Sequence, residues 1–271
     1  VPSDAHTNKH PDPGKYEDCF VAFLDILGFK SKVLDSQNND DTLENIIQSL
    51  KIVNSIPSGG KKVSAGSGSL RTIQIRSRFF SDSLVFFLKE KSEDIAQLFF
   101  VIRYLQDQLL ERGICLRGSI VRGQMYWTEK DDNVTVGRGL IDAYHQESAI
   151  AIYPRIVVSE KLHDYIESKS PEAFPFSNNK DTSLVHYIAQ DADGVRFLDL
   201  LNPNVLRAQG ERLELYDNSG FSVVWTDGAT SRHPEILGFV DRIIQDNSSS
   251  TDEKIMQKYA WLKTYRSRYD G

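Results

Sequence analysis

Cysteine is scarce. Two in 271 residues, Cys19 and Cys115, are too few for a disulfide framework, and their apolar surroundings argue against a thiolate metal site. A reducing compartment, the cytoplasm, is expected. An excess of basic charge is also lacking: 32 Lys and Arg against 38 Asp and Glu leave a formal charge of −6. No overall basic surface draws nucleic acid or an anionic membrane, so neither is an expected partner. A polyanionic ligand therefore needs local cations, metal or Arg. No apolar run approaches the roughly 20 residues that cross a bilayer, and the first residues hold no apolar signal segment. Internal repeats and low-complexity tracts are absent. The stretch from 54 to 70, NSIPSGGKKVSAGSGSL, lacks the GK[ST] ending of a P-loop and reads as an exposed loop.

What is present suits a globular domain: 40% hydrophobic residues are enough to bury a core. Residues 1–18, rich in Pro and polar side chains, are expected to form a mobile tail. CFVAFLDILGF, residues 19–29, is a nearly continuous apolar run that suits a mid-sheet strand covered on both faces. DTLENIIQSLKIV places Leu43, Ile46, Ile47, Leu50 and Val53 at helical spacing, with Asp41 or Thr42 to cap the start. TIQIRSRFF and SLVFFLK flank Ser81 and Asp82 as a hairpin. A helix follows, capped by Ser92, with Ile95, Leu98, Phe99, Ile102, Leu105 and Leu109 on one face and Gly113 to stop it. Strand signals at CLRGSIVRGQMYW and NVTVG, a helix LIDAYHQESAIA and further αβ units run to residue 202. The order βαββαβ predicts an α/β (α+β) fold of ferredoxin-like type, a mostly antiparallel sheet with helices on one side, over 19–202. Residues 203–271 read as a largely helical C-terminal extension, with a stripe of Ile255, Tyr259, Leu262 and Tyr265.

Two acids stand out. Asp25 interrupts the first strand just before Gly28, and Asp82 sits at the hairpin tip. An isolated Asp at a strand end is a turn or cap residue. Two that reach the same rim of a sheet repel each other unless a cation lies between them, and oxygen-only ligands suit Mg²⁺ or Mn²⁺. Gly28 lets the backbone approach a ligand, and free amides at the following helix start can cradle phosphates. A two-metal phosphoryl-transfer site is the resulting expectation.

FLDILGF resembles the F-x-D-I-x-G-F strand of the class III nucleotidyl cyclases, the adenylate/guanylate cyclase catalytic domain family, and FFSDSLVFF resembles its second metal-aspartate hairpin. RGSIVRGQMYW and VGRGLIDAYHQESAIAIYPRIVVS resemble, in order, its later strand and its G-x-x-V-N-x-A-x-R-x-E helix. The likeness spans 19–202 and is nearest the pyrimidine (uridylate/cytidylate) cyclases of bacterial Pycsar anti-phage defence. It implies two divalent cations, Mn²⁺ or Mg²⁺, on Asp25, Asp82 and the Ile26 carbonyl, with Gly28 and Phe29 against the β- and γ-phosphates. It also implies a homodimer with composite active sites, a nucleoside triphosphate substrate, and a downstream effector that reads the cyclic product.

The chain departs from the pattern at three places. Where adenylate cyclases carry a base-reading Lys, four residues before the second Asp, it has Arg78, whose planar fork suits uracil or cytosine; a cross-strand surface charge is the plain alternative. The family's transition-state Asn and Arg align with Ile141 and His145, or with Asp142 if the register slips by one. Arg138 or His145 is then the substitute cation, and Arg117 and Arg122 are further candidates for the triphosphate. A uridylate cyclase making cyclic UMP leads, followed by a cytidylate cyclase, an adenylate cyclase and a silent nucleotide-sensing module. No GG[DE]EF stretch supports a diguanylate-forming relative.

Overall fold

The computed structural model describes residues 15–55, 59–64, 70–90, 95–128, 134–169, 184–202, 214–216, 222–224 and 233–270. The apolar run around Asp25 is strand β1 (Glu17–Ile26), and Cys19, Phe20, Val21, Ala22 and Leu24 have no exposed surface. After Gly28 come α1 (Phe29–Ser36) and α2 (Asp40–Ser55), then β2 (Gly59–Ser64), β3 (Leu70–Phe80) and β4 (Ser83–Lys89). Helix α3 (Ile95–Leu110) leads into β5 (Leu116–Trp127), β6 (Thr135–Val136), α4 (Arg138–Ile150), β7 (Ile156–Val158) and α5 (Glu160–Lys169). A 3₁₀ turn, Leu184–Tyr187, precedes β8 (Ile188–Gln190) and β9 (Arg196–Leu198). The described remainder is a small pair, β10 (Glu214–Tyr216) with β11 (Ser222–Val224), and two helices, α6 (His233–Asp246) and α7 (Glu253–Ser267).

The main sheet runs β2-β3-β4-β1-β5-β7-β9-β8, with β6 against the end of β5. Every pairing is antiparallel except β5 with β7. The central order β3-β4-β1-β5 is what βαββαβ connectivity gives, so the fold is the expected mixed α/β with a mostly antiparallel sheet. The tail boundary at 18 lies inside β1, which begins at Glu17.

Strand alternation sends the two sides of β1 into different cores. Phe20, Ala22, Leu24 and Ile26 pack with Val53 of α2, Leu98, Ile102, Leu105 and Leu109 of α3, and Leu162 and Ile166 of α5. Each fully buried side chain of that kind stabilises by about 1.5–3 kcal/mol. Cys19 and Val21 pack on the other face with Val85, Phe87, Val121, Met125 and Ala143 of α4. The expectation of helices on one side is thus corrected: α4 lies on the face opposite α3. It approaches closely because a Cβ on Gly123 of β5 would stand 2.6 Å from the Gly139 Cα. A third core joins Leu27, Leu110, Cys115, Phe197 and Leu201 to Ile236, Leu237, Val240 and Ile243 of α6 and to Leu262 and Tyr265 of α7.

Three local expectations change. The stretch read as a loop over 54–70 contains β2, paired to β3 from Gly59↔Ile75 to Ser64↔Leu70. Asn39, not Asp41 or Thr42, caps α2: its Oδ1 accepts from the Thr42 N–H at 3.0 Å. On α2 only part of the predicted stripe is covered, because Leu43 and Ile47 remain 43% and 42% exposed. The Ser92 cap lies outside the described residues. Cys19 and Cys115 are free thiols, and burial pushes both up to about 12. Among the described residues no helix is long and apolar enough to cross a membrane.

Candidate active site

The end of β1 is where strand register brings distant residues together. Asp25 stands opposite Ser83 of β4 on one side and Arg117 of β5 on the other. One residue on, the Ile26 N–H donates to the Asp82 carbonyl at 3.1 Å. The β3–β4 turn consists of Ser81 and Asp82, with Ser81 at φ +60°, a left-handed position that Gly or Asn fills more readily. Asp82 is thereby held beside Asp25, close enough for their side chains to share a hydrogen bond when one is protonated.

Arg117 braces Asp25. Its Nε donates to Asp25 Oδ2 at 2.9 Å, and its Nη2 lies 2.9 Å from Glu147 Oε1, an ion pair whose angles fall short of a hydrogen bond. Glu147 comes from the sheet-facing side of α4, where Gly139, Ala143 and Glu147 are buried at four-residue spacing. Its side chain is 4% exposed and that of Asp25 16%. Burial raises the Asp25 carboxyl above the ordinary range; Arg117 opposes this and Asp82 adds to it. Glu147 is raised too, by burial first, with Arg117 opposing and Asp25 and Asp82 adding. Two carboxylates, Asp25 and Glu147, thus share one guanidinium, with Asp82 beside Asp25. Carboxylate oxygens are the hard donors that Mg²⁺ and Mn²⁺ prefer.

The turn that follows adds backbone donors. Gly28 takes φ +75° at the start of α1, a conformation open to glycine without strain. The first intrahelical bond runs from the Lys32 N–H to the Gly28 carbonyl at 3.2 Å. No side chain caps α1 and its first turn holds no acid, so the positive end of the helix is not neutralised by its own side chains.

Arg78 stands on β3 opposite Val85, which in turn pairs with Phe23, so it shares the Asp25 face of the sheet. Its Nη1 donates to the Ser77 carbonyl at 2.8 Å, while its Nε is buried with no hydrogen-bond partner. Burial, and then the neighbouring Arg76, lower its pKa.

Arg138, Asp142 and His145 are not brought to this cluster. They lie on the outer side of α4, in an open groove of about 530 Å³ shared with Arg122, Glu160 and Lys161. Arg138 is 80% exposed and pairs with Asp142 at 3.5 Å. Ile141, 54% exposed, also faces outward, and Phe23 meets Tyr144 edge-on at 5.5 Å between rings. Arg122 is taken up by Glu90, at 2.6 and 3.1 Å. Among the described residues the one group of three ligand types whose atoms all lie within 4.8 Å of one another is His163, Asp164 and Glu167 on α5; Asp25, Asp82 and Glu147 are not drawn together that tightly. The two acids of the α5 group are exposed and approach different ring nitrogens, at 3.8 and 3.7 Å, which suits a solvated helix face better than one ion.

No family model matches the sequence, and no curated protein is similar to it. Among solved structures the chain is similar to a dimeric guanylyl cyclase domain of the RhoGC fusion protein from the aquatic fungus Blastocladiella emersonii. Identity is 17%, the TM-score 0.33, and 57% of this chain and 86% of that one are covered. It is similar also to the catalytic core of a rhodopsin-guanylyl cyclase with converted specificity, in complex with ATPαS: 16% identity, TM-score 0.33, 57% and 83% covered. Likeness at that level carries neither activity nor substrate to this chain. Glu147 fills the closing Glu of the quoted helix pattern, and Arg117 holds Asp25 and Glu147 instead of standing free for a phosphate.

Proposed function

We propose that the protein is a metal-dependent nucleotidyl cyclase that converts a pyrimidine ribonucleoside triphosphate, UTP before CTP, to its 3′,5′-cyclic monophosphate and pyrophosphate. The observation that carries this is the pairing of two half-buried carboxylates, Asp25 and Asp82, at one sheet rim beside the uncapped start of α1. Asp25, Asp82 and the Ile26 carbonyl would hold two divalent cations, Mn²⁺ or Mg²⁺. Such ions, when bound, acidify the ribose 3′-hydroxyl and neutralise the departing pyrophosphate. The leading amides of α1 at Gly28 and Phe29 bind the β- and γ-phosphates and hold the α-phosphorus in line. Arg117 keeps the Asp25 carboxylate turned to the site. The 3′-oxygen forms its bond to the α-phosphorus, the bond to the bridging oxygen breaks, pyrophosphate departs with that electron pair, and the hydroxyl proton passes to solvent.

Arg78 reads the base: its planar guanidinium fork suits the carbonyl oxygens of uracil or cytosine. The outward groups of α4, His145, Arg138 and Asp142, complete the site of a second copy in a homodimer. Their distance from their own Asp25 supports that composite arrangement. The resemblance to Pycsar cyclases supports a product that serves as a second messenger for an effector in anti-phage defence.

A nucleotide-sensing module without turnover is the second reading, favoured by Ile141 and His145 at the transition-state positions. Incubation of the purified chain with Mn²⁺ and UTP, CTP, ATP or GTP separately, with products identified by mass, decides between them. Cyclic UMP is expected; cyclic AMP moves the reading to a purine cyclase, and binding without product to the sensor.

A further inference from the structure

We propose that Lys258, on the C-terminal helix α7, is a phosphate-binding residue of this site, its ammonium holding the polyphosphate of the nucleotide and the departing pyrophosphate. The assignment rests on the cyclase reading only in needing a polyphosphate at the Asp25 rim.

Helix α7 is docked at that rim. Leu262 and Tyr265 are buried in the core that contains Leu27, two residues after Asp25, and Cys115, two before Arg117. The two strand ends are joined there, the Leu27 N–H donating to the Cys115 carbonyl at 2.9 Å. Tyr259 packs on the same core. Lys258 precedes Leu262 by four and Tyr265 by seven, the spacing that puts all three on one helix face. It therefore points at the body of the protein from a position where an aliphatic residue would complete the stripe. Its side chain is half-buried; burial and then Arg117 lower its pKa, while Asp252 and, after it, Asp25 oppose the shift. Among the described residues it has no salt-bridge partner.

A part-buried ammonium without a partner is costly unless an anion joins it. Two of the three resident acids, Asp25 and Glu147, are already braced by Arg117. Once two dications and a nucleotide are bound, three carboxylates and a triphosphate outweigh the dications and one guanidinium. Lys258, with no salt bridge among the described residues, is a cation at this rim that redresses that balance, alongside Lys30 and Lys32 in the first turn of α1.

The helix is held firmly enough for the role. Arg155, its side chain 1% exposed, reaches Asp191 at 2.8 Å and Asp193 at 2.6 Å, while Trp261 donates to Asp191 through Nε1 and Arg268 through Nη2 at 2.9 Å. The Arg155 carbonyl in turn accepts from the Gly118 N–H, next to Arg117, at 3.1 Å.

The test is calorimetric titration of the full chain with pyrophosphate in the presence of Mn²⁺, alongside UTP turnover, for wild type, Lys258→Ala, Lys258→Arg and, as an exposed control on the same helix, Lys254→Ala. Lys258→Ala is expected to weaken pyrophosphate binding about tenfold or more and to raise the KM for UTP in step. Arg restores part of the loss, Lys254→Ala matches wild type, and the melting temperature is unchanged. Wild-type affinity in Lys258→Ala, with or without a lower melting temperature, overturns the assignment and leaves the cyclase reading standing. Lys258-dependent pyrophosphate binding in a wild type that cyclises none of the four nucleotides supports the assignment and removes the cyclase reading.

Discussion

Replacing Gly123 by Ala tests whether the close seat of α4 on the sheet is what delivers Glu147 to Arg117. The new Cβ would meet the Gly139 Cα at 2.6 Å and the Gly139 N at 3.0 Å, whereas ordinary contact begins at 3.4 Å. Both neighbours are backbone, so no side chain can swing aside, and α4 must retreat by roughly 1 Å. Overpacking of this kind costs about 1–3 kcal/mol. For a chain of this length each kcal/mol lowers Tm by about 2–4 °C, so a fall of about 2–12 °C is expected. The retreat carries Glu147 away from its 2.9 Å contact with Arg117 and loosens the brace on Asp25. Misplacement by about 1 Å costs on the order of a hundredfold in rate. Differential scanning calorimetry and steady-state turnover of the same preparation read both effects. Gly238→Ala on α6, where a Cβ meets nothing within 4 Å, is the control and is expected to stabilise by about 1 kcal/mol. A Gly123→Ala protein that melts and turns over like wild type refutes the reasoning.

Other outcomes follow from the same geometry. Asp25→Asn and Asp82→Asn should each abolish cyclic product. Because the Asp25 carboxyl is raised in the fold, ionised Asp25 lowers stability above its ordinary value of 3.8, and that loss is absent at lower pH. The Asp25→Asn protein should therefore match or exceed the wild-type melting temperature near neutrality, with the difference fading as pH falls towards 3.8; a deficit that grows with pH contradicts this. Arg155→Met removes one of three partners of Asp191 and the guanidinium on Asp193 and should cost about 1–3 kcal/mol in urea unfolding; a wild-type midpoint would show that α7 is held by its apolar face alone. Arg78→Lys should shift the ratio of UTP to ATP turnover, and an unchanged ratio would place base reading elsewhere.

The sequence disclosed those parts of the fold whose patterns are local. The unbroken apolar run of β1 marked a strand buried on both faces, and the stripe from Ile95 to Leu109 marked α3, all of whose named residues are buried. Strand β2 was illegible because GGKKVS has no alternation of its own and is ordered by pairing with β3. The Asn39 cap is not legible because Asp41 and Thr42, two and three residues later, are also cap types. At the site, Asp25 and Asp82 stood out as lone acids in apolar strands, a contrast visible in the letters. Arg117 and Glu147 did not, since an Arg on a strand and a Glu on a helix are commonplace. What singles them out is a register that sets Arg117 opposite Asp25 and a glycine contact that lowers α4 onto β5. Lys258 was hidden for the same reason: its neighbours on α7 are ordinary, and only the docking of that helix turns it towards the acids.

The most direct test of the central claim is to count bound Mn²⁺ by electron paramagnetic resonance, with a non-hydrolysable UTP analogue present, in wild type, Asp25→Asn and Asp82→Asn. Two ions per chain are predicted for wild type, with at least one lost in each variant. Equal Mn²⁺ binding in all three proteins would contradict the account.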